Sequence, residues 1–161
     1  MAIEQVREFL KAHGLEARIH EFDSSSATVA LAAEALGTEP ARIAKTLSFA
    51  NGDTCILIVA AGDAKIDNRK FKDLFGRKAT MLAPDEVLRL TGHAVGGVCP
   101  FALPEGTAAV YTDLSLQRFD TVFPAAGSSN SAVELSCDAL FTLSASKGWI
   151  DVCKGWQEEN I

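Results

Sequence analysis

A hairpin signal in the first half of the chain sets the framework of the fold. Two apolar runs, residues 43–50 and 54–61, flank the dipeptide Asn51-Gly52. This dipeptide is typical of the tight turn that joins two antiparallel strands. Counting by twos along the first run shows that Lys45 shares a face with large apolar residues. The pattern therefore predicts a half-buried strand that directs an ammonium group towards its own core.

The rest of the chain mixes helical and extended patterns without strict alternation. The predicted helices cover 2–13, 27–36, 67–76, 83–92 and 137–143, with a short helix from a Thr38 cap to about Ala44. The predicted strands cover 17–22, 45–50, 54–61, 78–82, 108–113, 121–127, 131–136 and 149–153. Hairpins mixed with helices favour an α+β fold with a mixed sheet over a Rossmann-type sheet. The 161 residues suit one domain.

Charge and composition argue against several classes of protein. The net charge is −6 and the pI is about 5.0, which disfavours broad binding to a nucleic-acid backbone but leaves room for recognition of one phosphate or a few nucleotides. No apolar run approaches the ~20 residues of a membrane helix, and the start lacks the pattern of a signal peptide. We therefore expect a cytoplasmic protein with no membrane contact. The four scattered cysteines predict neither a metal site nor disulfides.

Lys45 admits two interpretations. A lysine at a strand end commonly lays its stem on apolar surface and keeps its ammonium in solvent. Alternatively, the ammonium points into a cleft and holds a phosphate or carboxylate.

A glycine-rich loop is the second candidate. Its residues are Gly96, Gly97, Val98, Cys99, Pro100 and Phe101. Paired glycines permit positive φ and close approach of a ligand, and the residues after them would form an apolar wall with exposed amide donors. The alternative is a tight turn between a helix and a strand. Gly127-Ser128-Ser129-Asn130 is a second polar loop, or a hairpin turn. His93, just before the first loop, is the one histidine whose position suggests a functional role.

Four motifs together resemble the YbaK/EbsC family of bacterial prolyl-tRNA editing domains. They are AKTLSF, AGDAKIDNRKF, TGHAVGGVCPF and AAGSSNSAVELS, and they occur in the family's order. The resemblance covers about residues 1–153 as one editing domain and leaves 154–161 as a polar tail. It implies an α+β fold with a mixed, partly closed, barrel-like sheet flanked by helices, and it implies no cofactor and no metal.

The resemblance also implies roles for individual residues. Lys45 matches the family lysine that holds the phosphate of the terminal adenosine, and we take it as the catalytic residue. Gly96 and Pro100 match the family's G-x-x-x-P loop, and Gly127 matches the glycine of the last substrate loop. The expected substrate-binding residues are Gly96, Gly97, Val98, Cys99, Pro100, Phe101, Gly127 and Ser128. No general base stands among them, and in several members hydrolysis is ascribed to water or to the substrate's own 2′-hydroxyl or side chain.

The implied activity is hydrolysis in trans of the ester in a mischarged tRNA. Proline tRNA carrying Ala, Cys, Ser, Thr or 2-aminobutyrate is the expected substrate. The partner is then the tRNA acceptor end, and the participation of prolyl-tRNA synthetase or another trans factor stays open, as does the oligomeric state. Two alternatives remain: a non-catalytic module that binds an aminoacyl or nucleotide-like ligand, and a thiol-dependent protein that works through Cys99.

Overall fold

The structure, a computed structural model, describes residues 2–157. Its helices are α1 (Ala2–Ala12), α2 (Val29–Leu36), α3 (Asn68–Phe75), α4 (Pro84–Thr91) and α5 (Cys137–Leu143). Its strands are β1 (Ile19–Glu21), β2 (Ile43–Asn51), β3 (Thr54–Ala61), β4 (Lys65–Ile66), β5 (Ala108–Asp113), β6 (Thr121–Pro124), β7 (Ser131–Val133), β8 (Leu135–Ser136), β9 (Trp149–Ile150) and β10 (Cys153–Lys154). Short 3₁₀ helices occupy Glu16–Arg18, Pro40–Arg42 and Leu114–Arg118.

A curled, mixed six-stranded sheet forms the centre of the molecule. Its strand order is β8-β6-β2-β3-β5-β9, with β5 parallel to β3 and β6 parallel to β2. The central pair β2–β3 is the predicted hairpin, with Asn51 opposite Thr54 across the tight turn. Two small pairs, β1–β7 and β4–β10, complete the strand pairing. The α+β prediction with a partly closed sheet is confirmed.

One edge of β2 is open along part of its length. Parallel pairing with β6 involves Ile43 and Ala44 alone. Further along, the amide of Ala50 donates to the Thr80 carbonyl (2.8 Å), and the Ser48 carbonyl accepts from the amide of Leu82 (3.2 Å). Between these contacts β2 has no strand partner on this edge within residues 2–157, which leaves a gap in the sheet.

The core packs mainly around β3 and helix α3. Residues 55–61 of β3 are all buried, as expected for a central strand covered on both faces. Helix α3 begins at Asp67, whose carboxylate accepts from the amides of Arg69 and Lys70, and it ends at Gly76 in the left-handed conformation. Its Phe71 side chain is fully buried. Hydrogen bonds at Asp67 and the left-handed glycine thus determine where the helix begins and ends. Burial of Phe71 determines which side of the helix packs against the core.

Some predicted elements were wrong in detail. The short helix is a 3₁₀ turn over Pro40–Arg42 without a side-chain cap, so Thr38 does not cap it, and β2 begins at once because Ile43 pairs with β6. The predicted strand 78–82 is reduced to one bridge between Met81 and Phe49. The predicted strand 131–136 divides in two, because β7 pairs with β1 whereas β8 pairs with β6.

The C-terminal segment is packed as far as the structure describes it. Predicted strand 149–153 is two short strands in different sheets, and Lys154, assigned to the tail, pairs with β4. The ring of Trp156 lies 5.1 Å from the Arg118 guanidinium carbon, and Arg118 donates to the Trp156 carbonyl (3.1 Å). Residues 158–161 of the predicted tail lie outside the described part. Within residues 2–157, no helix combines the length and apolar character needed to cross a bilayer.

Candidate functional site

A cavity of about 370 Å³ opens at the gap in the sheet. Its walls come from the N-terminal part of α2, the middle of β2, the 81–87 segment, the 95–98 loop and strands β6 and β7. The polar residues among them are Ser26, Thr28, Lys45, Thr46, Ser48 and Ser131, and the others are glycine or apolar. Within the part of the chain that the structure describes, these walls carry no carboxylate, histidine or cysteine. The cavity therefore suits a small, mostly apolar group with a few polar atoms.

Lys45 is partly buried in one wall of the cavity. Its ammonium donates to the carbonyls of Gly62 (3.4 Å) and Ala64. An ammonium has three donors, and these two carbonyls are its acceptors within the described chain, so one N–H remains for a ligand. Burial lowers the pKa of Lys45 below its ordinary value, and the Asp63 carboxylate partly offsets this effect. A Cys153 thiolate would offset it too, but burial raises the Cys153 pKa to about 12, so this thiol is neutral at physiological pH.

The turn that holds Lys45 depends on a glycine. A Cβ atom at Gly62 would lie 2.6 Å from Cγ1 of Val29 and would collide with the Pro40 carbonyl. Only glycine lets the 62–64 turn approach the 3₁₀ helix this closely. The close approach fixes the two carbonyls that orient the ammonium. The sequence left two interpretations of Lys45 open, an ammonium in solvent and an ammonium that points into a cleft. It did not predict the contacts with the carbonyls of the 62–64 turn.

The two predicted polar loops meet at the opposite side. A Cβ atom at Gly97 would lie 2.7 to 2.9 Å from three backbone atoms of Ser128, so the loops are in direct backbone contact. Gly96 adopts φ +96°, as the third residue of a type II turn requires, and it lines the cavity together with Val98. Gly127, Ser128 and Gly97 support this wall from behind. The Ser128 hydroxyl pairs with that of Ser131 (2.6 Å), which does line the cavity.

The last three residues of the 96–101 loop turn away from the cavity. Cys99 and Phe101 are fully buried, Pro100 is buried, and none of them lines the cavity. The prediction that Cys99 lines the pocket was therefore wrong. The reason is packing: the Phe101 ring stacks on Phe9 of α1, with 6.1 Å between the ring centroids, and this anchors the end of the loop in the core.

His93 lies beside Cys99 but does not activate it. The His93 Nε2 atom is 2.8 Å from the Phe101 carbonyl and 3.5 Å from the Cys99 sulfur. A carbonyl only accepts, so Nε2 carries the proton and cannot take one from the thiol. Burial raises the Cys99 pKa to about 12 and lowers the His93 pKa. Both shifts oppose a thiolate–imidazolium pair, so the two side chains act as a buried anchor of the loop.

Sequence reasoning missed one wall of the cavity. This wall consists of Ser26, which precedes the predicted helix 27–36, and of Ala27 and Thr28, which were predicted to lie in that helix. The Ser26 amide donates to the Ser129 carbonyl (2.6 Å), and the Thr28 hydroxyl accepts from the Leu31 amide (3.2 Å) as the helix cap. Thr28 was predicted to lie inside the helix, whereas in the structure it caps a helix that begins at Val29. Ser129, which Ser26 contacts, lies 103 residues further along the chain.

The floor of the cavity is the open edge of β2. Along a strand in an antiparallel pair, the backbone groups of alternate residues point to the same edge. Ser48 and Ala50 bond to the 80–82 segment across this edge, so the amide and carbonyl of Thr46 face the same side, at the gap. The Thr46 hydroxyl is buried and has no hydrogen-bond partner within residues 2–157. The floor therefore offers backbone donors and acceptors that no other strand uses.

The mixed α+β architecture, with its curled six-stranded half-barrel sheet, matches the YbaK-type fold. The chain belongs to the aminoacyl-tRNA editing domain family, whose profile matches residues 23–143. The resemblance to the YbaK/EbsC family is confirmed.

Three known proteins show how far the similarity extends. YwhH of Bacillus subtilis (strain 168), an uncharacterised protein, is 56% identical over 158 residues, which are 98% of this chain and all of that protein. A solved structure described as a candidate trans-editing enzyme for prolyl tRNA synthetase matches with a TM-score of 0.85 and 27% identity, over 96% of this chain and 98% of that one. Hypothetical protein APE2540 matches with a TM-score of 0.81 and 31% identity, over 93% and 99% of the two chains.

Proposed function

We propose that this protein is a trans-acting deacylase that hydrolyses the ester of a mischarged tRNA. The proposed substrate is proline tRNA that carries a small wrong amino acid, such as Ala, Cys, Ser, Thr or 2-aminobutyrate. The acceptor end of the tRNA is the partner, and prolyl-tRNA synthetase is a candidate second partner. Membership of the editing family supports the activity, and the neighbour described as a candidate trans-editing enzyme supports action on proline tRNA.

The observation that carries the proposal is the presence of Lys45, the one charged residue among the described cavity walls, in an otherwise mostly apolar lining. A free N–H on a charged donor suits the phosphate of the terminal adenosine. The adjoining space of about 370 Å³ then receives the aminoacyl group. The mostly apolar walls suit a small apolar side chain, and selection among aminoacyl groups in this space would correspond to the second step of double-sieve editing.

The chemistry required of the protein is modest. An aminoacyl ester is already activated, so fixing it against a water molecule or the 2′-hydroxyl supplies much of the rate enhancement. Among residues 2–157, the cavity walls contain no carboxylate or histidine to act as a general base, in agreement with hydrolysis by water or by a group of the substrate. The open amide of Thr46 at the cavity floor is a candidate donor to the oxyanion that develops on the acyl carbonyl.

The non-catalytic alternative uses the same cavity to retain an aminoacyl ligand. The thiol-dependent alternative loses support, because Cys99 is buried, protonated and outside the cavity.

Deacylation of proline tRNA charged with each of the five amino acids tests the proposal. We expect multiple turnover of one or two esters by the wild type and loss of turnover in Lys45→Ala. The proposed deacylase activity would be refuted by stoichiometric binding without turnover of any ester, with or without added synthetase. That result would favour the non-catalytic binding module.

A further inference from the structure

The charge of this acidic chain is unevenly distributed. Residues 65–78 contain six of the 15 basic residues and two of the 21 acidic ones. This segment therefore has a net charge of +4 in a chain whose total is −6. In the structure it forms β4, α3 and the loop that leads to the cavity. Such a concentration of one sign in a protein of the opposite sign indicates a local binding surface.

Six exposed side chains form what we call the basic strip. They are Lys65, Arg69, Lys72, Arg77, Lys78 and Lys154. None of the six has an ion-pair partner among residues 2–157. Of the nearby carboxylates, Asp67 caps α3, Asp151 pairs with Lys70 at 3.0 Å, and Asp73 is exposed on α3. The strip is therefore free to bind an anion.

One pair in the strip is unfavourable for the isolated chain. Lys154 of β10 lies directly opposite Lys65 of β4 in the antiparallel register. Like charges in this arrangement repel and destabilise the strand pair. The Asp67 carboxylate interacts with Lys154 and offsets part of this repulsion. An anion between the two ammonium groups would relieve the rest, in agreement with an anionic partner.

Both ends of the strip lead to the cavity. At one end, Lys65 directly follows the 62–64 turn whose carbonyls hold Lys45, and its charge is among the causes that lower the Lys45 pKa. At the other end, Arg77 and Lys78 lead into the segment whose Met81 lines the cavity. The eight residues of α3 between them span about 12 Å. The positive surface thus adjoins the site where a tRNA 3′ end would enter.

We propose that the basic strip binds the phosphate backbone of the tRNA acceptor arm while the aminoacyl end occupies the cavity. This inference rests on the proposed function and specifies how an acidic protein holds a polyanionic substrate. The strip provides affinity without base recognition, because lysine and arginine neutralise phosphates and release counterions. The cavity then discriminates among amino acids.

The test compares two double variants with the same change of charge. Arg69→Gln/Lys72→Gln removes two positive charges from the strip. Lys11→Gln/Arg18→Gln removes the same two residue types from exposed positions that do not line the cavity. The affinity for a proline tRNA transcript is measured by fluorescence anisotropy over a series of salt concentrations. In parallel, kcat/KM is measured on full mischarged tRNA and on a minimal substrate, the same aminoacyl ester of the terminal CCA trinucleotide.

We expect the strip variant to reduce the slope of log affinity against log salt by roughly 1.4 to 1.8, the loss of two phosphate contacts. It should lower kcat/KM on full tRNA and leave the minimal substrate within about twofold, as expected when phosphate contacts outside the cavity are lost. The control variant should leave the slope unchanged. Any of three results would refute tRNA binding by the basic strip. They are an equal loss of slope and of kcat/KM in both variants, an unchanged slope in the strip variant, and wild-type binding to tRNA that does not depend on salt. Failure of the deacylase itself is distinct, since it would abolish turnover of the minimal substrate while the binding slopes still report on the strip.

Discussion

The contact between the two site loops gives a quantitative prediction for Gly97→Ala. The added methyl carbon would lie 2.7, 2.8 and 2.9 Å from three backbone atoms of Ser128, whereas carbon atoms in favourable contact are about 3.5 to 4.0 Å apart. Backbone atoms cannot rotate out of the way as the end of a side chain can. The 96–101 loop and the 127–130 loop must therefore separate by roughly 0.5 to 1 Å.

Two effects follow from this separation. Overpacking of this kind costs about 1 to 3 kcal/mol of the free energy of unfolding. Gly96 and Val98 line the cavity on the same loop, so their displacement should lower kcat/KM for deacylation by roughly 10- to 100-fold, since a misplacement of about 1 Å in a site has consequences of this size.

The chain offers a matched control in Gly148→Ala. A Cβ atom at Gly148 would meet nothing within 4 Å, and its φ lies outside the left-handed region. Urea denaturation followed by circular dichroism gives the stability of both variants, and deacylation is measured at a temperature at which both are fully folded. The reasoning is refuted if Gly97→Ala stays within about 0.5 kcal/mol and twofold of Gly148→Ala, the range of an ordinary surface substitution.

Three further predictions concern single side chains. Lys45→Met should lower kcat/KM on mischarged tRNA roughly 10- to 100-fold through loss of a charged hydrogen bond. The control Lys147→Met removes an exposed lysine outside the cavity and should change kcat/KM less than about twofold. Equal losses in the two variants would contradict the role proposed for Lys45. His93→Ala should lower the free energy of unfolding by about 1 to 3 kcal/mol because the Phe101 carbonyl loses its donor. His93→Gln keeps an N–H donor, so urea denaturation should show that it retains much of this stability. If His93→Gln is as unstable as His93→Ala, the hydrogen bond does not provide the stability. Cys99, whose pKa is about 12, should resist iodoacetamide at about pH 8 in the folded protein, and mass spectrometry that shows rapid alkylation of this residue would contradict its burial.

The sequence predicted those features that local chemistry decides. Helices α2, α3 and α4 fall within the predicted ranges 27–36, 67–76 and 83–92, and a glycine in the left-handed conformation follows each of them. Helix α5 and strand β5 agree with the predicted ranges to the residue. The hairpin lies where the Asn51-Gly52 signal predicts it, although Asn51 pairs with Thr54 and the two turn residues are Gly52 and Asp53. In each case the signal and the structure it specifies lie within a few residues of each other.

The features that were missed depend on contacts between distant segments. The direction of Cys99 is set by stacking of Phe101 on α1, about 90 residues earlier in the chain, so no local pattern in the loop reveals it. The orientation of the Lys45 ammonium is set by carbonyls of the 62–64 turn, and the contribution of Ser26 by its bond to Ser129. Of the site residues predicted from the sequence, Lys45, Gly96 and Val98 line the cavity. The remaining walls became visible only in the fold.

The open edge of β2 also bears on how this family can diversify. Because the floor of the cavity is made of peptide groups, no substitution at Thr46 other than proline can remove its amide donor, and none can remove its carbonyl. Side chains in the walls, such as Val87 and Phe123, are free to change in size. If the proposed function holds, a lineage under selection for a different amino acid can alter the walls one residue at a time. It still inherits the backbone groups proposed to meet the polar atoms shared by every aminoacyl ester.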